Sequence, residues 1–522
     1  MPRLPRIRWW IPALVIGLAS AVLVWCWRVP DASRQTRVLR SGGVALLSGV
    51  LLLAWTQLPS GFSRRVRLAI LVLAFATGGL GFALLEIRGV TGDLVPIVGW
   101  RFASRTPVGR DPVQSGADVG TGGASRQSAL PYPQFLGPGR DATVRGVVLA
   151  RDWRARPPRE VWRRSVGAGW SGFAVAGGDA VTQEQRGVEE CIVCYDLATG
   201  AVRWLYSYPA RYESVIAGIG PRATPTITGD RVHAFGATGI LTALDRASGA
   251  PLWTRDVIAE HGAENLEWGA SASPLVVGGL VIVCAGSAAI SLFAYDAETG
   301  EPAWAGGADA AGYGSPGFAL LAGVPQILTI NAASAAGHDP ATGDVLWSVP
   351  WSHANPNVAQ PLALPEDRVL VSSGYGVGAA LYRIVRRTGA GTLAAEPEWT
   401  SRALKAKFAS FVPRDGFVYG LDDGILACID VETGRRQWKG GRYGHGQVIL
   451  VGDALIVSTE WGDVVLVEAT PAAHRELARR AVLDGKTWNT PAFAAPYLLV
   501  RNDVEAVCLE LPVAAALGTD GE

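Results

Sequence analysis

Five times along the chain the same nine-residue outline returns: Asp, two residues, Thr or Ser, Gly, three residues, Trp. The copies are Asp196, Thr199, Gly200 and Trp204; Asp245, Ser248, Gly249 and Trp253; Asp296, Thr299, Gly300 and Trp304; Asp339, Thr342, Gly343 and Trp347; Asp430, Thr433, Gly434 and Trp438. Each follows an apolar, strand-like run. An Asp at the first position of a turn accepts backbone N–H groups and a later Gly takes positive φ, so each copy reads as a hairpin between antiparallel strands. The Trp falls on the outgoing strand, where a large apolar face fits between sheets, so Trp204, Trp253, Trp304, Trp347 and Trp438 are expected to dock blade on blade. A period of roughly 40 to 50 residues suits one four-stranded propeller blade and exceeds that of leucine-rich repeats. Helical repeats are excluded by the Gly content and β-branched alternation. The expected fold is all-β: an eight-bladed β-propeller of four-stranded antiparallel blades, with seven blades as the alternative.

Weaker copies fill the ring: Leu381 to Trp399, with Arg387-Thr388-Gly389 in place of the Asp turn, then Glu460 to Leu483, then Lys486 to Leu511. The strand-like Val161-Trp162-Arg163 has no blade of its own. It is expected to complete the C-terminal blade and so leave no edge unpaired.

The first hundred residues obey a different solvent. Trp9 to Trp27 contains no charge and is bracketed by Arg8 and Arg28; a second apolar stretch runs from about Gly42 to Phe62 and a third from about Leu68 to Leu85. Each is about the length of a bilayer-spanning helix, and three in succession do not fit a cleavable signal peptide. Arg3, Arg6, Arg8, Arg64, Arg65 and Arg67 fall on one side, against Arg28, Arg34, Arg37 and Arg40 on the other. The excess favours an N-terminus inside and everything after residue 88 outside, so the expected location is the inner (cytoplasmic) membrane, multi-pass, with the propeller on the periplasmic or outer side. The domains are therefore expected as 1–88 (three transmembrane helices), 89–150 (a linker with a Pro/Gly/Ser-rich stretch), 151–512 (the propeller) and 513–522 (a tail).

A net charge of +1 and the lack of a basic face exclude a nucleic-acid partner. Cys191 and Cys194 form the one close cysteine pair, but on a strand positions i and i+3 face opposite ways, so two buried thiols are expected rather than a metal or redox site. No H-E-x-x-H, phosphate loop or G-x-S-x-G elbow is present.

The Asp-x-x-Thr-Gly-x-x-x-Trp hairpin resembles the repeat of the pyrroloquinoline quinone (PQQ) propeller superfamily over about residues 131 to 512, and Tyr132 to Asp141 (YPQFLGPGRD) resembles the segment that opens many bacterial PQQ-like repeat proteins. That superfamily holds quinoprotein alcohol and glucose dehydrogenases and also a non-enzymatic lipoprotein scaffold of the outer-membrane-protein assembly machine. The dehydrogenases carry adjacent cysteines beside the quinone and hold calcium through a Glu, an Asn and an Asp. No two cysteines are adjacent here, and no matching ligand set is found. The resemblance thus implies a binding or scaffolding module of the cell envelope, its partner an envelope protein or extracellular polymer, with no cofactor, metal or catalytic residue assigned. The alternative is a membrane-bound PQQ- and calcium-dependent dehydrogenase of alcohols or sugars.

In a propeller the first residues of each innermost strand sit at the channel mouth. Those positions hold Arg222, Ser273, Tyr313, Gln360, Lys407, His445, Gln447 and Asn489. Together they are expected to face one central funnel suited to an anionic or polyhydroxylated ligand, with Arg222, Lys407 and His445 supplying the cationic character.

Overall fold

The repeated turn owes its shape to its own side chains. In the computed structural model, which describes residues 7–29, 32–58, 60–102, 130–286, 290–307, 309–387 and 393–514, Asp196 Oδ1 accepts from Ala198 N, Thr199 N and Thr199 Oγ1 at 2.9–3.1 Å, and Gly200 takes φ +69°. The same clasp forms at Asp245, Asp296 and Asp430.

Each clasp joins the third and fourth strands of a four-stranded antiparallel blade, and the described residues form eight such blades, one of them with a fifth strand added in parallel. In chain order the blades span 174–209, 226–256, 275–306, 317–350, 362–401, 412–442, 447–481 and 492–510, the eighth completed by the strand Arg159–Ser165. Trp162 of that strand faces Cys508 in the ladder, so the N-terminal strand closes the ring. Arg501 of blade eight, fully buried, bonds Thr182 Oγ1 at 2.8 Å, Gln183 O at 2.9 Å and Gly167 O at 2.8 Å, tying the seam to blade one.

The repeated indoles dock as a series. Trp204, Trp253, Trp304 and Trp438 donate Nε1–H to the carbonyls of Arg246, Ala297, Pro340 and Thr470 in the following blade, and Trp162 and Trp399 do the same to Leu197 and Val431. Trp347 departs from this pattern. It packs between blades four and five, but its N–H bonds Gln326 Oε1 of its own blade at 2.6 Å. Blade five lacks the Asp turn that would offer the acceptor; residues 388–390 of its substitute lie outside the described residues.

Cys191 and Cys194, on the strand Glu189–Asp196, are free thiols buried in different clusters of the core, and burial pushes the Cys191 thiol up to about 12. Neither is a reactive thiolate.

Residues 103–129 of the expected linker and 515–522 of the tail lie outside the described residues. Residues 130–150 enter the propeller. Tyr132 pairs with Val175 of blade one, Ile227 N of blade two donates to Pro133 O at 2.8 Å, and the strand Thr143–Val144 adds in parallel to blade seven.

The N-terminal unit contains helices Trp10–Arg28, Arg34–Gln57 and Arg64–Leu84, all long and apolar enough to cross a membrane, with mean hydropathies of 2.0, 1.7 and 1.9. The second helix begins earlier than its apolar stretch because Ser33 caps it, accepting from Thr36 N at 3.1 Å. A hairpin, Leu85–Val90 with Pro96–Trp100, follows the third. Asp93 in its turn pairs with Arg34 at 2.9 Å.

Candidate functional site

Among the described residues, the connections between one blade and the next, and those between second and third strands, gather at one end of the propeller. Beneath that mouth the chain knits itself into a polar ring. Thr224 Oγ1 accepts from Gly172 N at 3.0 Å, Ser273 Oγ from Thr224 N at 2.9 Å, and Ser315 Oγ from Ser273 N at 2.9 Å, so each blade's hydroxyl satisfies the preceding blade's backbone. Gln447 Nε2 bridges the carbonyls of Phe408 and Trp488, and Asn489 Nδ2 bridges those of Gly169 and Ser171. Gln360 Nε2 donates to Arg140 O at 2.7 Å. Ser273, Gln360, Gln447 and Asn489 therefore lie deep and bond backbone.

Below the ring the segment Tyr132 to Ala142 crosses the channel, touching blades one, two, three, five and seven in turn. Its Arg140 is fully buried: Nη1 bonds Pro274 O at 2.9 Å and Gln134 Oε1 at 3.2 Å, and Nη2 bonds Ser273 O at 3.0 Å. Among the described residues no carboxylate pairs with it and its Nε has no protein partner; burial pulls the guanidinium down to about 9. The segment that enters the propeller, Tyr132 to Ala142, thus occupies the lower channel.

The rim above is aromatic and cationic. Tyr313 packs on Trp268 with ring centres 5.2 Å apart and planes tilted by 33°, and the hydroxyl of Tyr212 bonds Glu267 O. The Arg222 guanidinium lies 4.3 Å from the centre of the Tyr212 ring. Arg222 Nη2 and Trp170 Nε1 both donate to Ala217 O. Trp170 meets Trp488 at 5.2 Å, and Lys486 lies on both indoles, 4.7 and 4.1 Å from the ring centres. Trp488 meets Phe408 at 5.1 Å, and Lys407 lies over Phe408 and Tyr375 at 5.1 and 4.6 Å. His445 sits 5.6 Å from the Phe408 ring.

Cations and ring faces therefore alternate around one opening. Such pairs are worth about 0.5 to 2 kcal/mol each, the higher value when desolvated. Burial lowers Arg222 to about 10 and lowers Lys486, while Tyr313 is raised to about 12, again mainly by burial. The carboxylates nearby are spoken for: Glu460 accepts from Trp488 Nε1 and His445 N, and Glu190 from Ala237 N and Tyr208.

Of the sequence-derived residues, Arg222 and Tyr313 stand at this rim, and Lys407 and His445 are buried beneath it against the Phe408 ring. The sequence reading passed over Trp170, Tyr212, Trp268, Tyr375, Phe408, Lys486 and Trp488, although Phe408 and Trp488 adjoin Lys407 and Asn489 in the blade-start segments that yielded those two.

A family model described as outer membrane protein assembly factor BamB matches residues 146–266 and 221–440. No curated protein matches the chain. Among solved structures, BamB from Moraxella catarrhalis aligns with a TM-score of 0.51 at 15% identity, covering 68% of this chain and 99% of that one. Quinohemoprotein alcohol dehydrogenase from Comamonas testosteroni aligns at 0.53 and 13% identity, covering 75% and 82%, and its counterpart ADHIIG from Pseudomonas putida HK5 at 0.50 and 12%, covering 70% and 78%. At these identities the structural likeness is one of fold.

Proposed function

The chain belongs to the family of outer membrane protein assembly factor BamB, and from that premise we propose that it is a binding or scaffolding module of the cell envelope. Its helices hold it in the inner membrane, and its propeller, on the outer side, receives a partner at the aromatic and cationic mouth. The partner is an envelope protein or an extracellular polymer. One observation carries the reading: the polar side chains below the mouth bond backbone and the segment through Arg140 fills the channel, so the rim is what remains to meet a ligand.

The test is site-specific photo-crosslinking of the full-length chain in its native membrane. A crosslinker at Trp268, on the rim, is expected to trap a discrete envelope component, and one at Leu252, exposed on a fourth strand, is not. Equal labelling from both positions would count against the mouth.

A second reading, a PQQ-dependent dehydrogenase, has one observation in its favour: ring faces flanked by cations suit a flat polycarboxylate. The donor set does not fit the calcium that accompanies the quinone. Among the described residues no three His, Cys, Asp or Glu side chains converge, and no two of the six cysteines are adjacent. Dye-linked oxidation of alcohols or sugars after addition of PQQ and calcium would reverse the order of the two readings.

A further inference from the structure

Resting on the reading of the mouth as a binding site, we infer that its ligand is a carboxylate-bearing sugar ring, the end of an acidic envelope glycan. The argument begins with two cations beside one indole. Lys486 Nζ lies 4.7 Å from the Trp170 ring centre, and Arg222 shares the Ala217 carbonyl with Trp170 Nε1. Neither cation makes an ion pair among the described residues; burial disfavours both charges, Asp503 and Glu460 offset part of this for Lys486, and Arg222 adds to the cost at Lys486. Two fixed like charges at one opening are relieved by an anion that reaches both.

The flat faces define the rest of the ligand. Trp170 and Trp488 meet at 44°, and Trp488 and Phe408 at 49°, so the three rings form the walls of a cup and not a level platform. A cup of that kind seats a ring against its walls, with carboxylates at the edge reaching the cations. A peptide added as a β-strand is recognised differently, through main-chain hydrogen bonds to an open strand edge. Here the neighbouring backbone groups are taken: the carbonyls of Ala217 and Gly218 by Arg222, those of Phe408 and Trp488 by Gln447, those of Gly169 and Ser171 by Asn489. Recognition must run through ring faces and fixed charge. The occupied channel below lets a chain end enter and prevents a chain from threading through.

The full-length chain in detergent micelles, titrated with trigalacturonate and followed by tryptophan fluorescence and calorimetry, tests this. Binding is expected, weakening as NaCl rises from about 50 to about 500 mM because the contact is ionic. Lys486→Gln and Arg222→Gln are each expected to lower affinity about tenfold, the loss of one charge-assisted contact, and Lys486→Arg to restore most of it. Unchanged thermal midpoints, together with the Lys486→Arg variant, separate lost binding from lost folding. Absence of trigalacturonate binding, equal binding of neutral maltotriose, or binding indifferent to both substitutions overturns the inference. Hexa-aspartate binding in its place would assign the mouth to a protein segment and leave the binding-module reading standing. PQQ binding there instead, with dye reduction, would bring down that reading as well.

Discussion

The indole of Trp204 lies so close over Gly249 of the next blade that a Cβ on Gly249 would stand 2.6 Å from its ring carbons. Gly249 also has φ +71°. The motif therefore needs its Gly twice, once for the turn and once for the neighbour's Trp. Gly249→Ala is expected to cost about 2 to 4 kcal/mol, left-handed strain plus overpacking. Gly187→Ala, at φ +61° with open space around it, is expected to cost about 1 kcal/mol. Thermal unfolding followed by tryptophan fluorescence compares the two, and equal losses would remove the indole as the cause.

This pairing explains how much was legible. Asp, Thr, Gly and Trp at fixed offsets encode a local hairpin and its contact with one neighbour, so the docking indoles could be read from spacing, while eight blades, with seven as the alternative, and closure by Trp162 rest on the weaker copies and the unpaired strand. Trp347 escaped that reading because its acceptor depended on the turn of another blade. At the mouth, Arg222 and Lys407 stood out as charges in blade-start segments. Trp170, Tyr212 and Tyr375 lie on loops with no periodicity, and only the closed ring brings them together. Arg140 sat in the YPQFLGPGRD segment, whose resemblance carried no role for its guanidinium. Its burial depends on carbonyls more than 130 residues away in sequence, Ser273 O and Pro274 O.

Arg140→Met is expected to lower stability by about 2 kcal/mol, because Ser273 O, Pro274 O and Gln134 Oε1 lose their donor while the relief of a buried charge offsets part of the cost. The gap has a predicted pH dependence. Burial holds the folded guanidinium down to about 9, below its unfolded value of 12.5. Its contribution to stability is therefore lost as pH falls through about 9 and grows as pH rises above it. The difference between wild type and variant should widen from pH 8 to pH 10.5, as measured by thermal midpoint. A gap that narrows would mean that the folded site prefers the charged form.

His338 gives an acid-side test. It is buried between Thr329 Oγ1 at 3.1 Å and Gly343 O at 3.2 Å, and burial lowers it from the usual imidazole value. The fold favours the neutral ring, so this contribution is present above the unfolded value near 6.5 and is lost as pH falls through the lower folded value. Buried Glu190 and half-buried Asp423 are raised and work in the opposite direction. The comparison must accordingly be with His338→Gln: from pH 7.5 to 5 the wild type should lose more stability than the variant. Parallel curves would show that the ring is not held neutral.

The side of the membrane on which the propeller stands is open to a single chemical step. All six native cysteines are buried, so the wild-type chain should resist a membrane-impermeant maleimide. Val188, at the tip of the hairpin between the second and third strands of blade one, is 73% exposed. Val188→Cys changes no buried contact and places one reactive thiol on the propeller. The N-terminus is expected inside, which after three spans puts the propeller outside. The variant is then expected to label in intact cells whose outer membrane has been permeabilised, and to the same extent after lysis. Labelling only after lysis would put the propeller in the cytoplasm, leaving the mouth chemistry intact but removing every envelope partner proposed for it.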